Sequence, residues 1–362
     1  MTKIFKAEKL RQFKIYATIK YSPAEIRYFM KKALIILQQL FSFLALALKA
    51  LFVASMIALI ILSYPRVRML LDEEQSSKIP ALDVLNQDLL ERGKVEMSKH
   101  KIVICAITRD NAVFFETMKK HLQAIGEEFA DYRILLFEND SKDGAKDLLK
   151  KWSLDNAKVT IITKDFHNKK RPSIKFMAEA RNHYLKELNT PKYKDFDMLR
   201  VVDMDMPYGF DLRGIRHSFS EIGRWDAVCS NGLNRGGRMY DAFAFRSKDF
   251  PYTQYEVGEE KYWQVIIPEM QQVIPATQDL MPVDSCFGGL AFYKRDKIKD
   301  CLYDSLQEDC EHVAFHKCIK DHGGKMFMNP AQMIHCNAYD LLKLMLYVSI
   351  VKTKEVWRDL MH

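Results

Sequence analysis

The distribution of apolar positions divides the chain into two regimes. From Ala33 to Tyr64 nearly every residue is apolar (ALIILQQLFSFLALALKALFVASMIALIILSY), whereas from Lys101 short apolar runs alternate with stretches of helical period. A bilayer core takes roughly 20 helical residues. Leu44–Tyr64 supplies them, with Lys49 near one end, where its long stem can carry the charge to the interface. Ala33–Phe43, which contains Gln38 and Gln39, is expected to lie along the membrane surface. The run is too long and too far from Met1 for a secretory signal peptide, and no small-x-small cleavage site follows it. The alternative is a pair of interfacial helices that never cross. Residues 65–100, with Pro65, Pro80 and the acidic run Asp72-Glu73-Glu74, read as a stem.

Beyond the stem the pattern predicts a catalytic-sized domain over 101–345 and a closing helix over 346–362. Strands are expected at KIVICAIT (101–108), YRILLFEND (132–140), KVTIITK (158–164) and MLRVVDMDM (198–206). Helices are expected near 112–129, 144–154 and 173–188. Repeated βα units imply an α/β fold with a mostly parallel, Rossmann-like sheet and right-handed crossovers. Ligands of such sheets bind outside the carboxyl ends of the strands.

Charge changes the picture at one end only. Of the net +8, +7 belongs to residues 1–32, where nine Lys/Arg face Glu8 and Glu25. The rest of the chain is nearly neutral, so no nucleic-acid groove is expected on the main domain. The basic excess before the apolar run places the N-terminus in the cytosol, as in a single-pass type II anchor. In a eukaryote that topology puts the domain in the secretory lumen; in a bacterium it marks the inner membrane, where a non-crossing anchor would suit better. The seven cysteines (105, 229, 286, 301, 310, 318, 336) show no CxxC and no regular framework, and they read as buried or free thiols.

Polar groups collect at the strand ends. Glu138-Asn139-Asp140, followed by Ser141-Lys142-Asp143-Gly144, offers carboxylates to ribose hydroxyls or a base edge, or else simply caps the next helix. Val202-Asp203-Met204-Asp205 puts two carboxylates two residues apart at the end of a hydrophobic run. On a strand such residues share a face and can converge on one hard cation, Mg²⁺ or Mn²⁺, leaving other positions to water and phosphate oxygens. Further on, Cys286-Phe287-Gly288-Gly289 is a turn whose glycines allow close backbone approach to a ligand. Asp309-Cys310-Glu311-His312 opens a helix, where an acidic side chain facing a pocket is a candidate general base, and His335 follows the next strand. A rival metal reading takes Cys310, His312, His316 and Cys318 as zinc ligands, although nine consecutive residues close a tetrahedron poorly.

Taken in order, ITRDN, ENDSKDG, RPSIKFMAEARN, VVDMDM, WDAVCSNG, YDAFAFR, CFGGLAFYK and DCEHVAFH resemble the fungal capsule-associated α-mannosyltransferase family, glycosyltransferase family 69, over roughly residues 101–340. More broadly, the acidic pair and the Gly-strand-His tail are similar to GT-A transferases. The resemblance implies a nucleotide-sugar donor (GDP-mannose favoured), a glycan or lipid- or protein-linked acceptor, and Mn²⁺ or Mg²⁺ on Asp203 and Asp205 with His335 as third ligand. It also implies donor contacts at Thr108, Arg109, Glu138, Asp140, Arg171, Arg181, Gly288 and Gly289, with Glu311 or Asp309 as the base. The family's Glu-Asp pair is offset here by Cys310, which leaves both carboxylates open. A base at Glu311 suits inversion, whereas an α-mannosyltransferase acting on an α-linked donor implies retention. Two other classes compete. A metal-dependent nucleotidyltransferase would usually show a Gly/Lys-rich phosphate loop, which Ala106–Asn111 lacks. A membrane-tethered glycan-binding protein would not need the aspartate pair and His335 together.

Overall fold

The computed structural model describes residues 24–25, 27–41, 43, 49, 51 and 55 near the N-terminus, and 82–167, 173–206, 209–233, 238–305 and 309–335 beyond it. Most of the expected span at 44–64, the stem up to residue 81, Arg171 and the closing helix 346–362 lie outside the described residues. The chain divides into two units, 1–73 and 74–362. In the first, residues 27–41 are helical and carry exposed Phe29, Leu34, Ile36, Leu40 and Phe41. Among the described residues no helix is long and apolar enough to cross a membrane.

The second unit is built on an eight-stranded mixed sheet in the order β3-β2-β1-β4-β7-β5-β8-β6. Its strands are β1 (Lys101–Thr108), β2 (Asp131–Glu138), β3 (Val159–Thr163), β4 (Met198–Val202), β5 (Ala227–Leu233), β6 (Met281–Pro282), β7 (Leu290–Lys294) and β8 (Met326–His335). β1, β2, β3 and β4 run parallel, as do β5 and β8, whereas β7 is antiparallel to both β4 and β5 and β6 to β8. The longer helices of this unit are α1 (Gln87–Met97), α2 (Phe115–Gly126), α3 (Ala145–Asp155), α4 (Ile174–Leu188), α5 (Leu212–Ser220) and α6 (Glu311–Asp321).

β1 shows why the sheet sits where it does. Ile102 to Ala106 are fully buried, and alternate side chains enter opposite layers. Val103 and Cys105 pack with Tyr184 and Leu185 of α4 and Phe315 and Ile319 of α6. Ile102 and Ile104 pack with Met118, Leu122 and Ile125 of α2 and Phe219 of α5. A strand apolar on both faces needs helices on both faces, and the βα alternation supplies them.

Two expectations are corrected. The stem was expected to run to residue 100, yet Leu82, Leu85 and Leu90 bury against Leu233, Ala331 and Met333. Helix α1 is capped by Asn86, whose side chain accepts from Asp88 N, and Gly93 lies so close to α5 that a Cβ there would sit 1.8 Å from Arg216 O. The leucines therefore belong to the folded domain. A chain starting at Ser98 should melt roughly 10 °C below one starting at Ser77, because Leu82 and Leu90 each contribute about 1.5–3 kcal/mol by burial. Equal melting curves would return α1 to the stem.

The cysteines were expected to be unpaired. Cys229 on β5 bonds Cys286, which precedes β7, and Cys301 bonds Cys318 on α6, while Cys105 and Cys310 are free and buried. Spacing concealed both pairs, since strand order rather than sequence proximity brings Cys229 to Cys286, 57 residues away. Cys301–Cys318 closes a loop of 17 residues. Cys301→Ser with Cys318→Ser should cost about 3 kcal/mol, read as a lower melting temperature that dithiothreitol reproduces in the parent protein. A melting temperature indifferent to reductant would show that neither bond stabilises the fold.

Candidate active site

A cleft of about 530 Å³ opens at the carboxyl ends of β1 and β4, the place where an open α/β sheet leaves room for a ligand. Segments from across the domain line it. The loop after β1 contributes Thr108, Arg109, Asp110 and Asn111, and the loop after β4 contributes Asp203 and Asp205. Phe176 and Arg181 come from α4, and Glu311 and His312 from the first turn of α6.

The aspartate pair sits just past the strand rather than on it. β4 ends at Val202, where an extended strand to residue 206 was expected; Asp203 N still donates to Gly289 O at 2.9 Å, and the chain then bends at Met204. Both carboxylates line the cleft nonetheless, with the Asp203 backbone tied to the Gly288-Gly289 turn rather than placed by strand alternation. That turn needs glycine. Both residues have positive φ, 63° and 85°, and a Cβ on Gly288 would lie 2.1 Å from Ser230 O. Its second product is Asp241, whose carboxylate accepts from Gly288 N at 2.9 Å.

Asp203, Asp205, Asp241 and Glu311 thus face one another across a small volume. Burial holds the Asp203 carboxyl well above the usual carboxylate range, Asp205 adds to this by like-charge repulsion, and Arg181 opposes it. About a third of the Asp203 side chain remains open to the cleft. Burial and Glu311 likewise push Asp241 up, against the hydrogen bond from Gly288. Arg181 is the internal counter-charge: its Nε donates to Glu311 Oε1 at 2.9 Å and its Nη2 lies 3.6 Å from Asp203 Oδ1. Hard oxygen donors crowded until their charged forms are penalised are a set that a divalent cation relieves. Asp203 and Asp205 would hold it, with water completing the shell. Among the described residues, the group of three potential ligands already drawn together is Cys301, Cys318 and His322, and its two sulfurs are bonded to each other.

The remaining expected residues separate. Asp309 does not line the cleft; its Oδ1 accepts from Arg246 Nη2 at 2.6 Å and from Cys310 N at 2.8 Å. Glu138 and Asp140 make internal contacts: Glu138 Oε1 accepts from Ser141 N, and Asp140 accepts from Phe166 N and His167 N, closing the loop after β3. Their neighbour Asn139 is the one that lines the cleft. His335 ends β8 opposite Leu233, and its side chain lies outside the described residues, as does all of Arg171. The zinc arrangement does not form. Cys318 is in a disulfide, and the nitrogens of His316 meet Ser285 Oγ at 2.8 Å and Tyr293 Oη at 2.9 Å. Asp241 and the aromatic wall of Phe243 and Phe287 were not singled out from sequence. Asp241 lies in the quoted YDAFAFR block, but an acidic residue outside any regular element carries no periodic signal.

No protein-family model matches the sequence, and no characterised protein matches it. Among solved structures the chain is similar to a mannosyltransferase from Pyrobaculum calidifontis in complex with GDP-Man and Mn²⁺, at 13% identity and TM-score 0.42, covering 70% of this chain and 65% of that one. It is similar to S. aureus TarS 1-349 at 11% identity and TM-score 0.39, covering 65% and 59% of the two chains. It is also similar to GalNAc-T7 with UDP, GalNAc and Mn²⁺ at 16% identity and TM-score 0.38, covering 66% and 44%. The chain spans less than two thirds of the length of each.

Proposed function

We propose that this chain is a membrane-anchored, metal-dependent glycosyltransferase of the GT-A type, resembling glycosyltransferase family 69, that moves a sugar, mannose favoured, from a nucleotide-sugar donor to a glycan or lipid- or protein-linked acceptor. The observation that carries the reading is the convergence of Asp203 and Asp205 with the Arg181–Glu311 pair in one cleft at the sheet's carboxyl edge. Transfer from a sugar diphosphate needs stabilisation of the charge that develops on the leaving group and a base for the incoming hydroxyl. A divalent ion on Asp203 and Asp205, with His335 as the candidate third ligand, would supply the first by drawing charge from the diphosphate.

The protein's own groups supply the rest. Thr108 and Arg109 lie on the donor side after β1, and Arg181 adds a fixed positive charge beside Asp203. Glu311 takes the acceptor's proton as that oxygen bonds the anomeric carbon, while the bond from this carbon to the diphosphate breaks and its electron pair leaves with the phosphate. Oε2 of Glu311 is the available oxygen, since Oε1 accepts from Arg181 and Oε2 has only a 3.8 Å sulfhydryl contact from Cys310.

Anchoring rests on the basic residues 1–32, the apolar run 33–64 and the exposed apolar side chains of helix 27–41. The two disulfides support an oxidising compartment for the domain, which fits a cytosolic N-terminus and a lumenal catalytic unit. The test is a donor-hydrolysis screen over GDP- and UDP-sugars with and without Mn²⁺. Metal-dependent release of one nucleoside diphosphate is expected, GDP first; no release from any donor would remove the reading.

A further inference from the structure

We propose that the acceptor is a carbohydrate whose ring lies against an aromatic platform formed by Phe243 and Trp263, with its reacting hydroxyl received by His312. The proposal rests on the glycosyltransferase reading and names the acceptor side of that same cleft.

Phe243 forms part of the cleft wall, and the Trp263 ring stacks on it with centroids 5.8 Å apart and planes 22° from parallel. Trp263 is 47% exposed, so an indole surface is left open to solvent beside Phe243, which lines the cleft. An indole held by stacking on a cleft residue offers a flat apolar face and a polar N–H to a ligand that extends from the cleft. Its backbone supports this. Gly258, with φ 84°, breaks the preceding turn, and Trp263 lies in a π-helical turn, Tyr262–Ile266, a distortion that recurs at functional sites. Tyr262 is fully buried and pins that turn, so the rigid part of the segment presents the indole outward. The charge of the segment selects the occupant. Residues 254–270 carry Glu256, Glu259, Glu260 and Glu269 against Lys261 alone, which repels an anionic lipid surface but not a neutral sugar. The apolar face of a pyranose ring suits an aromatic plane.

His312 supplies the second, independent observation. It is buried, its ring stacks on Phe287 at 4.0 Å, and neither ring nitrogen has a hydrogen-bond partner among the described residues. A buried imidazole with both bonds unmade is costly and calls for a partner from the cleft it lines. Burial and the nearby Arg181 hold its pKa well below the usual histidine range, so the ring is neutral and one nitrogen donates. Nε2 lies 3.8 Å from Glu311 Oε1. A sugar hydroxyl beside this pair accepts from His312 and gives its proton to Oε2 of Glu311, whereas water or a lipid headgroup would not also fill the aromatic platform.

The test uses the full chain in detergent with Mn²⁺, the donor accepted by the wild type, and methyl glycosides of mannose, glucose and galactose as acceptor probes. Trp263→Ala is expected to raise the KM of the preferred glycoside about 3- to 10-fold at an unchanged Kd for the nucleoside diphosphate, with Trp263→Phe restoring most of it. His312→Ala is expected to lower kcat/KM for the glycoside about tenfold, partly rescued by His312→Gln, which keeps a donor. An acceptor KM within twofold of wild type in Trp263→Ala overturns the platform, and so does weakened binding to anionic vesicles with acceptor KM unchanged. If the wild type neither hydrolyses a donor nor binds a nucleoside diphosphate, the glycosyltransferase reading falls and the platform with it.

Discussion

Asp203→Asn and Asp205→Asn should each lower turnover by about 10²–10³-fold, the scale on which losing one oriented charge-stabilising group slows a reaction that builds an oxyanion. Each substitution keeps the side chain's shape and removes one unit of ligand charge, so the defect should appear as weaker Mn²⁺ affinity as well as slower chemistry. A second readout needs no substrate. In the metal-free protein Asp203 sits among Asp205, Asp241 and Glu311, and burial raises the cost of its ionisation. Neutralising it should therefore leave the metal-free melting temperature unchanged or higher, while abolishing the rise that Mn²⁺ produces in the parent. A purely structural aspartate predicts the reverse: a lower melting temperature and an intact response to Mn²⁺. Near-normal turnover at limiting Mn²⁺ would falsify the ligand role.

The fold was legible in the sequence wherever one physical signal dominated. β1 follows the expected span from Lys101 to Thr108 because a strand buried on both faces must be apolar throughout. Helix α4 begins where Ser173 caps it, accepting from Phe176 N. The errors arise where tertiary contacts decide. β4 stops four residues before the expected end because the bend at Met204 sends Asp205 into the cleft rather than along the ladder. The stem shortened because the leucines of 82–90 have their partners more than a hundred residues away, at Leu233, Ala331 and Met333. Arg200 gave no warning either: it lies in the middle of β4, fully buried, its guanidinium 4.1 Å from the Phe210 ring centroid. In the site, both aspartates of the D-x-D spacing line the cleft, but strand alternation is not what brings them there. The Gly288-Gly289 turn, rather than strand alternation, positions Asp203 and Asp241 together.

Glu311→Gln and Asp309→Asn should separate two carboxylates that the sequence could not tell apart. Glu311 faces the cleft and Asp309 faces away, bonded to the buried guanidinium of Arg246. Glu311→Gln should slow transfer by about 10²–10⁴-fold, the usual contribution of a positioned base. Binding of nucleoside diphosphate and Mn²⁺ should survive, since the amide oxygen can still accept from Arg181 Nε. Asp309→Asn should act on stability instead. Removing its charge leaves Arg246 buried without a counter-ion, a loss of about 3–5 kcal/mol and roughly 10 °C in melting temperature. The turnover of whatever fraction stays folded should be close to that of the parent. The pattern has a clear failure. If Glu311→Gln transfers sugar at the parental rate, then the carboxylate is simply the partner of Arg181 and no base acts from this helix. A displacement with inversion would then lack its proton acceptor, and retention would be the stereochemistry to test by NMR of the first product formed.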